Sequence, residues 1–149
     1  MPLMIDAIRE DGQPKEEGWP YLDAIPSPVS AWMPPEDCGT VFRHPFVNRT
    51  TDVSNVFAAL DAGQPALLAA RISEQFYLPA SDFLIKTMPN DRDVANHALV
   101  AVGHGTNGGD PVVLVRNSWG DAWADRGHAW VTKDYLAKRL LGLAVPFNR

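Results

Sequence analysis

Two polar residues at the ends of neighbouring apolar runs have the side chains needed for acid–base chemistry. His97 opens the run His-Ala-Leu-Val-Ala-Val-Gly over residues 97–103, and Asn117 directly follows the apolar residues 112–116. If these runs are antiparallel strands joined by the Gly- and Asn-rich residues 105–110, the two side chains come together. A histidine oriented by a neutral amide can act as an acid or base beside a nucleophile. The spacing therefore predicts a histidine–asparagine pair at one end of a hairpin.

The first third of the chain is predicted to contain one helix and an extended segment. Apolar residues at helical spacing predict a helix over residues 3–11, within a segment 1–12 that ends at Gly12. The residues expected to share its apolar face are Leu3, Met4, Ala7 and Ile8. Seven prolines between residues 13 and 45 remove backbone donors and fix φ, so residues 13–50 are expected to be extended.

The remaining residues, 51–149, predict a β-rich region that contains the histidine–asparagine motifs. A helix capped by Thr51 or Asp52 is expected to run to Gly63, and a second helix is expected over residues 133–141, with Gly142 ending it. The expected strands are residues 65–72, 76–78, 97–103, 112–116 and 127–131. The core is predicted in residues 66–72, 99–102, 112–115 and 129–131. These elements predict an α+β fold with antiparallel strands and a single domain over residues 1–149.

Composition limits the classes of partner and compartment. A net charge of −5 without a basic stripe argues against a nucleic-acid partner. The apolar run over residues 66–70 is far shorter than the roughly 20 residues that span a bilayer, and residues 1–6 lack a signal-peptide pattern. With one cysteine the chain cannot form an internal disulfide. We therefore expect a cytoplasmic protein with no membrane partner.

The quoted motifs resemble the C-terminal signature of papain-like cysteine peptidases. His-Ala-Leu-Val-Ala-Val-Gly-His-Gly from residue 97 is followed by Asn-Ser-Trp-Gly at 117–120 and Gly-His at 127–128. Trp-Pro-Tyr at 19–21 resembles an upstream motif of the same family. The resemblance implies the antiparallel, β-barrel-like half of the papain-like fold with short flanking helices, peptide-bond hydrolysis, and a peptide or protein ligand.

The resemblance also implies roles for individual residues. His97 corresponds to the catalytic acid and base, and Asn117 to the residue that orients its imidazole. Trp119 corresponds to the indole that shields their hydrogen bond, with Ser118 and Gly120 in support.

The chain departs from the family pattern at four positions. Asn96 stands where many members have aspartate, Ala124 where they have glycine, and His104 and His128 where they have tyrosines. The two histidines are expected to serve as aromatic substitutes. A metal site formed by them and His97 would lack a recognised ligand spacing, so no metal or cofactor is predicted.

The family's nucleophile has no counterpart in these residues. In the family, the cysteine opens a long helix well before the Trp-Pro-Tyr segment, with a glutamine ahead of it completing the oxyanion hole. Only eighteen residues precede Trp19 here, and none is cysteine. Cys38 follows Glu36 and Asp37, and neighbouring negative charge disfavours a thiolate. We therefore expect no hydrolysis of peptide bonds by this chain alone.

Three interpretations remain open. The chain is the C-terminal portion of a peptidase, a non-catalytic relative that binds peptides or proteins, or a subunit that complements a cysteine-bearing partner. In each case the missing half would leave an apolar face uncovered, which predicts a partner chain or self-association.

Overall fold

The computed structural model describes residues 2–20, 22, 24–29, 33 and 35–146, which contain three α-helices and nine strands. The chain divides into two compact units between Phe46 and Val47. Within the described ranges, no helix has the length and apolar character needed to cross a membrane.

The first unit contains α1 (Pro2–Glu10) and an antiparallel pair of short strands, β1 (Gln13–Pro14) and β2 (Val41–Phe42). The helix lies where the sequence predicts it, but its predicted face is wrong. Ile5 is buried, whereas Met4 and Ala7 are exposed. In a helix this short, two overlapping apolar faces fit the same spacing, and periodicity alone does not choose between them.

The second unit is built on one large sheet. Its elements are β3 (Phe46–Arg49), α2 (Ser54–Asp61), β4 (Ala66–Ser73), β5 (Leu84–Ile85), β6 (Asp93–Asn107), β7 (Asp110–Arg116), β8 (His128–Thr132), α3 (Lys133–Arg139) and β9 (Leu140–Pro146). The strand order is β3-β9-β4-β6-β7-β8-β5, with antiparallel β4–β6, β4–β9, β6–β7 and β7–β8 pairs and a parallel β5–β8 pair. This architecture confirms the predicted α+β class.

The core lies between one face of this sheet and helices α2 and α3. Along β4, Ala66, Leu68 and Ile72 are buried, as expected for alternate residues that share a sheet face. Val102, predicted in the core, is 42% exposed. It lies in a β-bulge, where Ala101 and Gly103 pair with consecutive residues of β7, so the alternation is interrupted there.

The β6–β7 turn is shorter than the predicted residues 105–110. Strand pairing continues to Asn107 and Asp110, which leaves only Gly108 and Gly109 in the turn. Their φ angles of 59° and 93° match a type I′ turn, whose central residues both need positive φ. The two glycines allow this tight reversal, and the hairpin extends from there towards His97 and Asn117.

Two further predictions are wrong. Residues 76–78 do not form a strand, because the chain makes a 3₁₀ turn over Glu74–Phe76 and leaves Leu78 86% exposed. Helix α3 ends at Arg139 rather than at residue 141, and β9 begins at Leu140. The leucines that fit helical spacing instead extend beside β4, where Gly142 pairs with Ala69. Tertiary strand pairing outweighs local helix propensity at this point.

Tyr135 on α3 ties the helix to the end of β4. Its ring is 1% exposed, and its Oη accepts a hydrogen bond from the Ser73 N–H at 2.9 Å and lies 3.1 Å from Ser73 Oγ. The guanidinium of Arg139 lies over the ring, 4.3 Å from its centroid. Burial, which disfavours the charged phenolate, raises the pKa of Tyr135 above its ordinary value.

The raised pKa predicts an alkaline loss of stability. Because the folded protein holds the Tyr135 proton more tightly than the unfolded chain, this contribution is complete below about pH 10 and is lost as pH rises through the folded pKa. Tyr135→Phe should reduce that alkaline loss and cost about 1–3 kcal/mol at neutral pH, since the buried Ser73 N–H loses its acceptor. Urea unfolding at several pH values measures both effects, with the exposed Tyr77→Phe as control. Parallel pH curves for wild type and Tyr135→Phe would contradict the assignment.

Candidate active site

The hairpin brings His97 and Asn117 into direct contact. His97 lies on β6, and Asn117 follows the last residue of β7. The His97 Nε2 and Asn117 Oδ1 atoms are 2.8 Å apart, although the residues are twenty positions apart in the sequence. Asn117 is buried and His97 is half-buried. The predicted pair is therefore formed, held by side chains from one continuous hairpin.

The backbone next to Asn117 fixes the orientation of its amide. Oδ1 accepts a second hydrogen bond from the Ser118 N–H at 2.8 Å. The reverse orientation would place the Nδ2 donor against this N–H, so two donors would face each other. Nδ2 itself is buried without a hydrogen-bond partner among the described residues. The amide is thus held through its oxygen.

This orientation determines which imidazole nitrogen carries a proton. Because Asn117 Oδ1 is an acceptor, His97 Nε2 must donate, and the neutral ring is the Nε2–H tautomer. Nδ1 then carries the lone pair and makes no hydrogen bond among the described residues. The ring therefore offers one free nitrogen that can take or give a proton.

A compact loop supports the pair. The Asn117 N–H donates to the Gly127 carbonyl at 2.9 Å, which closes the loop over residues 117–127. Gly120 and Gly127 have φ angles of 81° and 82°, a region that favours glycine. Ala124 has a φ of 48°, so the alanine at this position is held in the same left-handed region. The left-handed conformation of Ala124 costs roughly 1 kcal/mol relative to glycine at the same position.

Aromatic rings surround the imidazole. The Trp119 ring lies 4.7 Å from the His97 ring, centroid to centroid, and the buried Phe76 ring lies 6.1 Å from it. Phe76 stacks on Trp123 at 5.2 Å, and the Trp123 Nε1–H donates to the Phe76 carbonyl at 2.8 Å. Tyr77 stacks on Trp119 at 5.2 Å on the exposed side. The Trp119 ring therefore lies beside the His97 imidazole, and its shielding of the His97–Asn117 bond stays a prediction.

His104 and His128, the other two histidines of the motif region, contact residues other than His97 and Asn117. His104 Nε2 is 2.9 Å from Asp61 Oδ1 on α2, and the His104 ring packs edge-on against Phe57. His128 Nδ1 lies 2.9 Å from the carbonyl of Arg126. In the part of the chain that the structure describes, no three His, Cys, Asp or Glu side chains converge to form a metal site.

Cys38 belongs to the first unit, where it is partly exposed. It lines a small cleft of about 320 Å³ with Lys15, Gly18 and Thr40. The neighbouring Asp37 carboxylate accepts a hydrogen bond from the Gly39 N–H at 2.8 Å. No helix begins at Cys38, so the helix N-terminus that favours a thiolate is absent from its surroundings.

The contribution of Phe76 and Tyr77 to these surroundings differs from the sequence prediction. In the strand predicted over residues 76–78, their side chains would point to opposite faces of a sheet. The 3₁₀ turn instead directs the Phe76 ring towards His97 and the Tyr77 ring onto Trp119. The polar pair Glu74 and Gln75 immediately before Phe76 is a signal that the strand of residues 66–73 has ended.

The chain is similar to known proteins in both sequence and fold. A model of the papain family of cysteine proteases matches residues 14–140. Pro-cathepsin H of Mus musculus is 29% identical over 132 residues, covering 87% of this chain, and cysteine proteinase 1 of Entamoeba histolytica is 31% identical over 127 residues, covering 81%. The chain spans 38% of the length of each of these two relatives.

The fold comparison agrees with the family match. The structure of xylellain, a cysteine protease from Xylella fastidiosa, superposes with a TM-score of 0.69 at 18% identity, over 97% of this chain and 60% of that one. At that identity the superposition shows a shared fold. Because the family match covers most of the chain, and the described fold follows the same architecture, the chain belongs to the papain family of cysteine proteases.

Proposed function

We propose that this chain supplies the histidine–asparagine side of a papain-like protease site and acts on peptide bonds when a cysteine thiol is provided from outside its 149 residues. One observation carries the proposal. His97 Nε2 donates to Asn117 Oδ1, which leaves Nδ1 unengaged among the described residues. An imidazole held in this way is suited to exchange a proton with a thiol.

The proposed chemistry uses the free nitrogen as base and then as acid in each of two stages. Nδ1 of His97 takes the proton of the thiol, and the thiolate sulfur forms a bond to the carbonyl carbon of the peptide. As the carbon–nitrogen bond breaks, the Nδ1–H gives its proton to the leaving amine. This leaves a thioester between the sulfur and the acyl half of the substrate. A water molecule, deprotonated by Nδ1, attacks the thioester carbon; the carbon–sulfur bond breaks, the carboxylic acid is released, and the Nδ1 proton returns to the sulfur. Asn117 keeps the ring oriented through both stages.

The exposed apolar side chains of β6 support the need for a further polypeptide. Val94 and Val102 are 43% and 42% exposed, and Ala98 beside His97 is also exposed. Exposed apolar patches often mark a surface that contacts another polypeptide. We propose that the cysteine-bearing segment covers these side chains of β6, with self-association of the chain as the alternative.

A second candidate function is a non-catalytic module that binds peptides or proteins. The stacked rings of Tyr77 and Trp119 favour it, since both are partly exposed and Trp119 lies beside His97. Exposed aromatic rings of this kind bind polypeptide without needing a nucleophile.

Sequencing and an activity assay separate the two functions. Translating the DNA upstream of Met1 in frame should reveal a glutamine and a cysteine separated by five residues, with the cysteine at a predicted helix start. The extended protein that includes this segment should then react with an active-site thiol probe and hydrolyse a general peptide substrate. Serine in place of the upstream cysteine is the control and should abolish both signals.

The opposite results are equally informative. A stop codon upstream of a good start site, together with peptide binding but no hydrolysis, would support the binding module. Peptide hydrolysis by the 149-residue chain that survives Cys38→Ala would contradict both proposals.

A further inference from the structure

A buried cation lies at the start of the strand that carries His97. Arg139, the last residue of α3, is only 5% exposed. Its Nη2 lies 3.1 Å from Asp91 Oδ2, and its Nε donates to Asp93 Oδ1 at 2.8 Å. Asp91 is nearly as buried as the arginine. Separating the pair would leave a buried charge without its partner, so the Arg139–Asp91 contact favours keeping their segments together.

The same ion pair extends to the 3₁₀ turn. Asp91 Oδ2 accepts a second hydrogen bond from Gln75 Nε2 at 2.9 Å, and Gln75 Nε2 also donates to the Lys86 carbonyl. Gln75 is the middle residue of the turn Glu74–Phe76. We call the three side chains of Arg139, Asp91 and Gln75 the Arg139 clamp. Through this clamp, α3 fixes the position of the 3₁₀ turn Glu74–Phe76.

The 3₁₀ turn also carries Phe76, whose ring packs against the His97 imidazole. Phe76, next to Gln75, contacts the rings of both His97 and Trp119. On its other side, its carbonyl accepts the Trp123 Nε1–H. Phe76 is therefore held between the clamp and Trp123, and it limits the positions that the His97 ring can adopt.

Arg139 also contacts the strand of His97 directly. Asp93, which it binds through Nε, is the first residue of β6 and lies four residues before His97. The second carboxylate oxygen of Asp93 is 3.3 Å from Arg71 Nε on β4. The Arg139 guanidinium thus connects β6, which carries His97, with the 3₁₀ turn, whose Phe76 ring packs against the imidazole.

We propose that Arg139 is a positioning residue for His97. It does not touch the imidazole. It acts through Gln75 and Phe76 on one side and Asp93 on the other, and so keeps Nε2 directed at Asn117 Oδ1. Its importance for catalysis rests on the proposed protease function, but its effect on the imidazole does not.

The tautomer of His97 in the 149-residue chain tests the proposal without any protease assay. Nitrogen-15 NMR of the imidazole at about pH 9, where histidine is ordinarily neutral, gives the ratio of the Nε2–H to the Nδ1–H form. Arg139→Met should lower this ratio about three- to tenfold, the effect of losing one well-formed hydrogen bond. Gln75→Met, which leaves the Arg139–Asp91 ion pair in place, should lower it in the same direction.

Lys138→Met is the matched control. Lys138 precedes Arg139 on the same helix and also pairs with an aspartate, Asp134, but this pair is exposed and does not contact the turn. Its replacement should leave the tautomer ratio unchanged. If Arg139→Met fails to fold, Gln75→Met decides the question. A wild-type tautomer ratio in folded Arg139→Met, or in folded Gln75→Met where Arg139→Met does not fold, would overturn the proposal.

Discussion

Replacing His97 with alanine is expected to lower the rate of peptide hydrolysis about 10²- to 10⁴-fold in the longer protein that includes the proposed cysteine-bearing segment. That range is the usual contribution of a side chain that transfers a proton in the transition state. The structure gives the reason, because Nδ1 is the free nitrogen and Nε2 is engaged by Asn117. Initial rates with a general peptide substrate at saturating concentration measure the loss. Asn117→Ala should cost less, about tenfold, since the imidazole remains but loses one orienting hydrogen bond.

The control for this experiment is His104, the second histidine of the motif region. His104→Gln removes an exposed contact with Asp61 and should leave the rate nearly unchanged. Circular dichroism checks that each variant folds. Equal rates for wild type and His97→Ala would remove His97 from the catalytic machinery and with it the proposed mechanism.

Removing the ring of Phe76 is expected to cost roughly 3–5 kcal/mol in the free energy of unfolding. Phe76 is fully buried, stacks on Trp123 at 5.2 Å and meets the edge of Trp119 at 5.9 Å. Phe76→Ala would leave a cavity among these rings, and truncations of this kind fall in that range. Urea unfolding, followed by tryptophan fluorescence, measures the loss.

Leu78→Ala is the matched control for the truncation of Phe76. Leu78 lies two residues further along and is 86% exposed, so its truncation should change stability by less than about 0.5 kcal/mol. A loss below about 1 kcal/mol for Phe76→Ala would show that the ring cluster does not anchor the turn.

Most of the second unit was predictable because its strands have strong local signals. Residues 66–70 are continuously apolar, and the two glycines of the β6–β7 turn mark the hairpin. The errors occur where tertiary pairing decides. Leu140 and Leu141 fit the spacing of α3, but pairing with β4 draws them into β9. Nothing in the local pattern reports a partner strand some seventy residues away.

The candidate site divides in the same way. His97, Asn117 and Trp119 were identified because they lie in short motifs next to clear strands. Phe76 was placed in the wrong element, and Gln75, Asp91 and Arg139 carry no motif at all. Their importance arises from contacts between segments that are distant in sequence, such as the Arg139–Asp91 ion pair across 48 positions. Side chains of this kind become visible only in the folded structure.

The single hairpin that carries both His97 and Asn117 has a consequence for how a complete site would assemble. Both side chains are already ordered in the second unit, since their hydrogen bond and that of the Ser118 N–H lie within it. A thiol that arrives later finds a preorganised base, so assembly restricts the freedom of one reacting group instead of three. Most of the entropy loss of bringing the three groups together therefore occurs when this chain folds and joins the acid to its orienting amide. Only the smaller loss for the nucleophile remains when the thiol arrives.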